Sequence, residues 1–130
     1  MSARERWLID TSVLIDHLRG VRSATQVLID GRKHDHELWS SVVTRTEIIT
    51  GMRANEKQAT YDLFDLLRWQ EVSEEIADRA GELAMQYHRS HSHMDLADYI
   101  LAATAAELDA QLLTLNVRHF PMFPDLSKPY

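Results

Sequence analysis

Cysteine is absent from the 130 residues of this sequence. Without thiols a chain has no disulfide framework, no thiolate zinc site and no cysteine nucleophile. The lack of disulfides also fits a protein that works in a reducing compartment. We therefore expect a cytoplasmic protein whose core is stabilised by packing rather than by covalent cross-links.

Long apolar runs are missing as well. The opening segment Met1-Ser2-Ala3-Arg4-Glu5-Arg6 has no apolar stretch after its charges, so it does not resemble an export signal. No later segment approaches the roughly 20 apolar residues that a membrane-spanning helix needs. The sequence therefore predicts an unexported protein with no membrane partner.

Positive charge is scarce, because 14 Lys and Arg residues face 20 Asp and Glu residues and the formal net charge is −6. Non-specific affinity for nucleic acid comes largely from Lys and Arg. The charge balance therefore argues against a simple phosphate-binding surface without excluding one. A site that gathers carboxylates around a divalent metal can still meet phosphate through that metal.

Short apolar runs alternate with segments of helical periodicity along the whole chain. We find no internal repeat, low-complexity tract or linker, and predict one domain over residues 1–130. Alternating strands and helices favour an α/β fold around a parallel sheet, because parallel neighbours need crossover connections. The predicted strands are 7–9, 37–43, 68–72 and 111–115.

Helix starts and stops give the predicted helices. The first begins after a Ser12 cap and ends at Gly20, and the second runs from Ser23 to Asp30 and closes at Gly31. Further helices are predicted from Thr44, over 55–67, from a Ser73 cap to about residue 88, and over 95–108. The last is small or apolar almost all the way round, which is typical of a buried helix.

Acidic and amide side chains stand where these elements end or begin. Asp10 and Asn116 leave strands at the same predicted sheet edge, where open parallel sheets bind ligands. Glu47, Asp95 and Asp98 lie in the first turns of predicted helices. Each acid also has a structural interpretation. Asp10 could cap a turn, Thr44 and Glu47 fit a capping box, and Asp95 could be only a helix cap.

Taken together, these acids raise an electrostatic problem. Two carboxylates about 4 Å apart repel by about 4 kcal/mol at an effective dielectric near 20. Several could stay ionised together only around a hard cation, and Mg²⁺ or Mn²⁺ with oxygen ligands and waters suits such a site. A metal held in this way is suited to the hydrolysis of phosphodiesters.

Four segments carry a resemblance to a known family. In order they are Leu8-Ile9-Asp10-Thr11-Ser12, Val43-Thr44-Arg45-Thr46-Glu47-Ile48, Asp98-Tyr99-Ile100-Leu101-Ala102-Ala103-Thr104-Ala105 and Leu113-Thr114-Leu115-Asn116-Val117-Arg118-His119-Phe120. Each is weak alone, but as an ordered set they resemble PIN-domain proteins, specifically VapC-type toxins of bacterial toxin–antitoxin pairs. The resemblance implies a three-layer α/β sandwich with a mostly parallel five-stranded sheet flanked by helices.

The resemblance also implies a metal-dependent endoribonuclease. Asp10, Glu47 and Asp98 match the widely shared acidic positions of the family, as catalytic residues and as ligands of Mg²⁺ or Mn²⁺. Asn116 stands where many relatives carry a fourth Asp, so we expect one firmly held ion, with any second ion arriving together with the substrate. Asp95 is a helper ligand or only a cap.

Further roles follow from the same resemblance. Thr11, Ser12 and Thr114 are expected to support the ligands or to contact phosphate. Arg45, Arg118 or His119 are candidates to meet the RNA phosphate.

The implied partners are an RNA substrate, a cognate antitoxin and a second copy of the chain in a homodimer. Apolar residues of the helices after Ser12 and around 48–67 are candidates for an antitoxin groove. They include Ile49, Met52, Tyr61 and Phe64, and the alternative is that these residues are plain core.

Two other interpretations remain. The histidines His88, His91 and His93 before Asp95 suggest a zinc site, but no second cluster supplies the remaining ligands, so a solvated linker is favoured. A catalytically weak PIN-like fold that binds RNA or protein is the alternative to an enzyme. No dinucleotide fingerprint, phosphate-binding loop or serine-centred elbow is present.

Overall fold

The computed structural model describes residues 3–130; Met1 and Ser2 of the predicted domain lie outside the described residues. Within this range the sheet has four strands in the order β3-β2-β1-β4, and every pairing is parallel. The strands are β1 (Arg6–Ile9), β2 (Glu37–Ser41), β3 (Arg68–Gln70) and β4 (Gln111–Leu113). All four predicted strands are therefore confirmed, although each is shorter than or shifted slightly from its predicted bounds.

Helices cover both faces of this sheet. They are α1 (Thr11–Leu18), α2 (Arg22–Lys33), α3 (Val42–Thr50), α4 (Lys57–Asp65), α5 (Glu74–Tyr87) and α6 (Leu96–Leu108). A short 3₁₀ helix, Ala54–Glu56, precedes α4, and another, Val117–His119, follows β4. None of the helices in residues 3–130 is long and apolar enough to cross a bilayer.

Neighbouring side chains of β1 divide the core into two layers. Leu8 packs with α6, whereas Ile9 packs with α1, α2 and α4, and both are fully buried. This follows from the period of two in a strand, which sends successive side chains to opposite faces. The three-layer sandwich of the sequence prediction is therefore confirmed.

The end of α2 differs from prediction. Gly31 lies inside α2 instead of ending it, and a Cβ there would come within 2.8 Å of the Trp7 ring and 2.9 Å of Leu38 Cδ2. Glycine is needed at this position for close packing of helix on sheet. The helix continues to Lys33, two residues beyond.

The predicted five-stranded sheet is wrong in one detail, because the described residues form four strands. After β4 the chain forms turns around Phe120, which is buried against α6, and ends with the Tyr130 hydroxyl donating to Asp16 Oδ2 at 2.8 Å. Prolines at 121, 124 and 129 lack the N–H that a strand would donate. The tail therefore packs against the core without adding a strand.

Candidate active site

A cleft of about 260 Å³ opens at the carboxyl edge of the sheet. It is bordered by the ends of β1 and β4 and by the first turns of α1, α3 and α6. Its polar lining residues are Asp10, Thr11, Ser12, Thr44, Glu47, Asp95, Asp98, Asn116 and His119. All four predicted catalytic residues therefore line one cleft.

Asp10 is the most enclosed acid of this cleft, with 9% of its surface exposed. It directly follows β1 and is the N-cap of α1, where Oδ1 accepts the Thr11 N–H at 2.7 Å. Oδ2 accepts the hydroxyls of Ser12 at 3.0 Å and Thr114 at 2.7 Å. The prediction that Ser12 caps α1 is wrong, because the helix begins two residues earlier, at Thr11, and Asp10 is its cap.

Two hydrogen-bond relays tie the chain after β4 to the same carboxylate. The Asn116 N–H donates to Thr114 Oγ1 at 3.0 Å, and the Leu115 N–H donates to Ser12 Oγ at 3.2 Å. Each hydroxyl in turn donates a hydrogen bond to Asp10 Oδ2. The sequence predicted the hydroxyls but not these backbone donors, because nothing in the residue pattern shows which amides they meet.

Glu47 lies on α3, on another wall of the cleft. Its capping-box prediction is wrong, because Ser41 already caps α3 by accepting the Val43 N–H at 3.2 Å. Glu47 Oε1 instead accepts the Thr11 hydroxyl at 2.7 Å, and that hydroxyl lies 3.2 Å from the hydroxyl of buried Thr44. Glu47 is therefore free of any helix-capping role and is oriented towards α1.

Asp95 and Asp98 form the predicted start of α6. Asp95 Oδ1 accepts the Asp98 N–H at 3.1 Å, and Asp98 Oδ2 accepts the Asp95 N–H at 3.0 Å. This is a capping box in which both members are aspartates. The cap interpretation of Asp95 is confirmed, and the residue also lines the cleft.

The charge state of Asp98 is set by opposing effects. Burial raises the pKa of Asp98 above its ordinary value, and the hydrogen bond from the Asp95 N–H counteracts that rise. The Asp95 charge raises the pKa further, whereas His119, with Nδ1 3.2 Å from Asp98 Oδ2, lowers it. The positive ends of the α1 and α6 dipoles also favour ionised carboxylates at this edge.

The acids of this cleft offer oxygen atoms as ligands, and oxygen is the ligand atom that Mg²⁺ and Mn²⁺ prefer. Within residues 3–130, no three His, Asp or Glu side chains stand close enough together to hold a metal ion. Each acid instead accepts hydrogen bonds from donors of the protein. Mg²⁺ is commonly bound through one or two carboxylates and several waters, so the cleft fits such an ion without a complete protein cage.

The candidates for phosphate contact lie in different places. Arg45 does not line the cleft, because its guanidinium stacks on Phe64 at 4.4 Å and on Trp69 at 5.0 Å. Arg118 is exposed on the 3₁₀ helix after β4. His119 lines the cleft, with its Nδ1 3.2 Å from Asp98 Oδ2.

The histidine-rich stretch is a linker of turns between α5 and α6, as predicted. His88 is the C-cap of α5, and the His91 and His93 rings lie 5.8 Å apart. His93 also packs on His119, at 5.3 Å between ring centres. No metal-binding group of three acids or histidines occurs among the described residues, so the zinc interpretation gains no support.

Comparisons with known proteins agree with this geometry. The sequence profile of the PIN domain matches residues 7–124. Ribonuclease VapC19 of Mycobacterium tuberculosis is 46% identical over 123 residues, which cover 95% of this chain and 98% of that protein. Ribonuclease VapC10 of the same organism is 48% identical, over 95% of this chain and 92% of that protein.

Solved structures agree in fold. A chain from a toxin–antitoxin complex of Klebsiella pneumoniae superposes with a TM-score of 0.78 and 29% identity, covering 95% of this chain and 97% of that one. VapBC-1 of nontypeable Haemophilus influenzae gives a TM-score of 0.76 at 21% identity, over 95% and 96% of the two chains, which supports the fold alone. The chain therefore belongs to the PIN-domain family and, within it, to the VapC group of these relatives.

Proposed function

We propose that this chain is a divalent-metal-dependent endoribonuclease and the toxin of a toxin–antitoxin pair. The observation that carries the proposal is the cleft in which Asp10, Glu47 and Asp98 meet at the carboxyl edge of the sheet. The names of the VapC relatives, both ribonucleases, support the reaction. Because its proposed substrate is cellular RNA, we expect the enzyme to act in the cytoplasm.

In this proposal Asp10 and Asp98 hold Mg²⁺ or Mn²⁺, Glu47 reaches the ion through a water, and further waters complete the coordination. The bound ion would neutralise charge on the scissile phosphate and make a water more acidic. Asp10 is fixed for this task by its three donors, Thr11 N–H and the hydroxyls of Ser12 and Thr114. The Thr11 hydroxyl orients Glu47 by donating to its Oε1.

Asn116 takes a different part from the acids. It lines the cleft beside them, and its backbone N–H supports Asp10 through Thr114. As a neutral amide its side chain is a weaker ligand for Mg²⁺ than a carboxylate would be. We therefore assign one firmly held ion to the protein and a contact with water or substrate to the Asn116 side chain.

Cleavage of a labelled RNA in the presence of Mg²⁺ or Mn²⁺ tests the proposal. We expect Asp10→Asn to lower the rate on the order of 100-fold or more, because a ligand charge worth several kcal/mol of transition-state stabilisation is lost. Asp65→Asn, the same change at an exposed site on α4, is the control. Undiminished cleavage by Asp10→Asn, or cleavage in excess chelator, would contradict the proposal.

The same assay separates the alternative function. A wild-type protein that binds RNA without cutting it would be the catalytically weak binding module instead. In cells, expression of the wild type should stop growth, and co-expression of its cognate antitoxin should restore it. Growth arrest by Asp10→Asn as strong as that by wild type would contradict the enzyme proposal.

A binding surface for the antitoxin is proposed beside α2 and α4. The groove prediction was wrong about Phe64, which is core. An apolar groove of about 210 Å³ instead lies between α2 and α4, with Ile29 and Leu66 each about half exposed along it. We propose that an apolar antitoxin segment binds there. A homodimer stays a prediction, which light scattering on the purified protein checks.

A further inference from the structure

Two nitrogen atoms face the same carboxylate oxygen of Asp98. Oδ2 accepts the Asp95 N–H at 3.0 Å and lies 3.2 Å from His119 Nδ1. The first donor belongs to the start of α6 and the second to the 3₁₀ helix after β4. Because both act on Oδ2, the other oxygen of Asp98 stays available to a cation or a water in the cleft.

His119 is itself held firmly on both sides. The backbone N–H of His119 donates to Asn116 O at 2.9 Å. The next residue, Phe120, is 1% exposed in the core beside α6. On the outer side the His93 ring packs on the His119 ring at 5.3 Å, while His93 Nε2 donates to Arg118 O at 3.0 Å. The imidazole is therefore a preorganised donor rather than a mobile surface group.

The partners fix the tautomers of the two rings. A carboxylate only accepts, so Nδ1 of His119 carries the proton that faces Asp98. A carbonyl oxygen also only accepts, so Nε2 of His93 carries a proton towards Arg118 O. This chain of contacts runs from the α5–α6 linker inward to an acid of the proposed metal site.

We propose that His119 is a positioning residue that fixes Asp98 for metal binding, and that His93 supports His119 from outside. This inference rests on the proposed metal-dependent function. It departs from the sequence expectation that His119 meets phosphate, because its Nδ1 is already committed to Asp98. Groups that orient a metal ligand in this way typically change metal affinity 10- to 100-fold when removed.

The first test measures Mn²⁺ binding to the RNA-free protein by calorimetry. We expect His119→Ala to weaken binding about 10- to 100-fold. His119→Asn should restore it to within a few-fold of wild type, because the Asn amide nitrogen stands where Nδ1 stands. His119→Gln, whose amide lies one bond further out, should not restore it.

Two controls separate positioning from stability and from phosphate binding. His91→Ala removes the ring next to His93. That ring is hydrogen-bonded to the Ser90 hydroxyl and not to Asp98, so Mn²⁺ binding should be unchanged. Thermal melting should show the Asn and Gln variants equally stable. Equal Mn²⁺ binding by wild type and His119→Ala, or a rise only in the KM for RNA, would overturn the proposal.

A second readout does not depend on metal. Long-range ¹H–¹⁵N spectra of the metal-free protein should show His119 with its proton on Nδ1, and Asp98→Asn should change that signal. If wild type binds no Mn²⁺ and cuts no RNA, the proposed function fails and His119 cannot position a metal ligand. If wild type binds Mn²⁺ but His119 carries its proton on Nε2 alone, only this inference fails.

Discussion

Both oxygens of the Asp10 carboxylate are occupied by donors of the protein itself. Two of the donors are hydroxyls that accept backbone N–H groups from the segment after β4. Hydrogen bonds in such a chain polarise one another, so they strengthen together in a buried setting. The Asp10 side chain is therefore held in one orientation before any ligand arrives.

Thr114→Val tests this support at the level of one atom. The substitution keeps the shape of a fully buried side chain, but it leaves the Asn116 N–H without its acceptor and removes one of the two donors to Asp10 Oδ2. We expect a loss of about 1–3 kcal/mol in the free energy of unfolding. RNA cleavage should fall roughly 10- to 100-fold, as for other groups that orient a metal ligand. Urea denaturation and the cleavage assay measure the two effects.

Thr104→Val is the matched control for Thr114→Val. Thr104 is equally buried, but its hydroxyl only donates to Ile100 O, within its own helix, at 2.7 Å. Such bonds add little to helix stability. Cleavage by Thr104→Val should therefore stay near the wild-type rate. Equal losses in both variants would mean that the Thr114 hydroxyl has no special relation to Asp10.

Among the elements, the two wrong helix starts have one physical cause. At Asp10 and at Ser41 the chain passes from strand to helix with no loop between them, and one residue ends the strand and caps the helix. The sequence patterns around Ser12 and Thr44 fit capping equally well. Which hydroxyl or acid caps depends on where the strand pairing stops, and this is a tertiary property.

Other elements were predictable because their signals are local. The α5 start was correct, since Ser73 accepts the Ile76 N–H and acids follow it in the first turn. The prediction that α6 is buried was correct, because small and apolar residues occupy almost every face of the helix. The approach of His119 to Asp98 was not predictable, because the two residues belong to different elements.

Asp95 provides a prediction for the start of α6. Asn caps helices about as well as Asp, whereas Ala does not. We expect Asp95→Asn to retain wild-type stability and RNA cleavage. Asp95→Ala should lose about 0.5–2 kcal/mol in the free energy of unfolding. Urea denaturation and cleavage assays check both. A large loss of cleavage in the stable Asn variant would instead identify Asp95 as a metal ligand.

Across the whole molecule, the site is assembled from distant parts of the chain. Asp10 and Thr114 are 104 residues apart and meet because β1 pairs with β4. The sequence placed the acids at one sheet edge, which the structure confirms. The resemblance implied that Thr11, Ser12 and Thr114 support the acids, but no residue pattern showed that Thr11 contacts Glu47 or that His119 contacts Asp98, because these contacts are tertiary.

The pH dependence of global stability should include a contribution from His17. This side chain joins α1 to α2 through Thr25 Oγ1 at 2.8 Å, and burial lowers its pKa below the ordinary value of 6.5. The folded state then binds fewer protons than the unfolded state as the pH falls through that value. Stability present at neutral pH should therefore be lost progressively below about pH 6.5.

Urea denaturation at several pH values checks this expectation. His17→Gln cannot take up the proton, so its stability should fall less between pH 7 and pH 5 than that of wild type. His88→Gln makes the same change at an exposed site and should follow the wild-type curve. Parallel curves for wild type and His17→Gln would contradict the assignment.

The two aspartates proposed to hold the metal also begin helices, since Asp10 caps α1 and Asp98 closes the α6 capping box. Folding alone could preserve them in a relative that has lost its chemistry, so their presence there would be poor evidence of activity. Glu47 caps nothing and is more informative in such a survey. For the same reason, Glu47→Gln is the inactive form best suited to safe production and to crystallisation with uncut RNA.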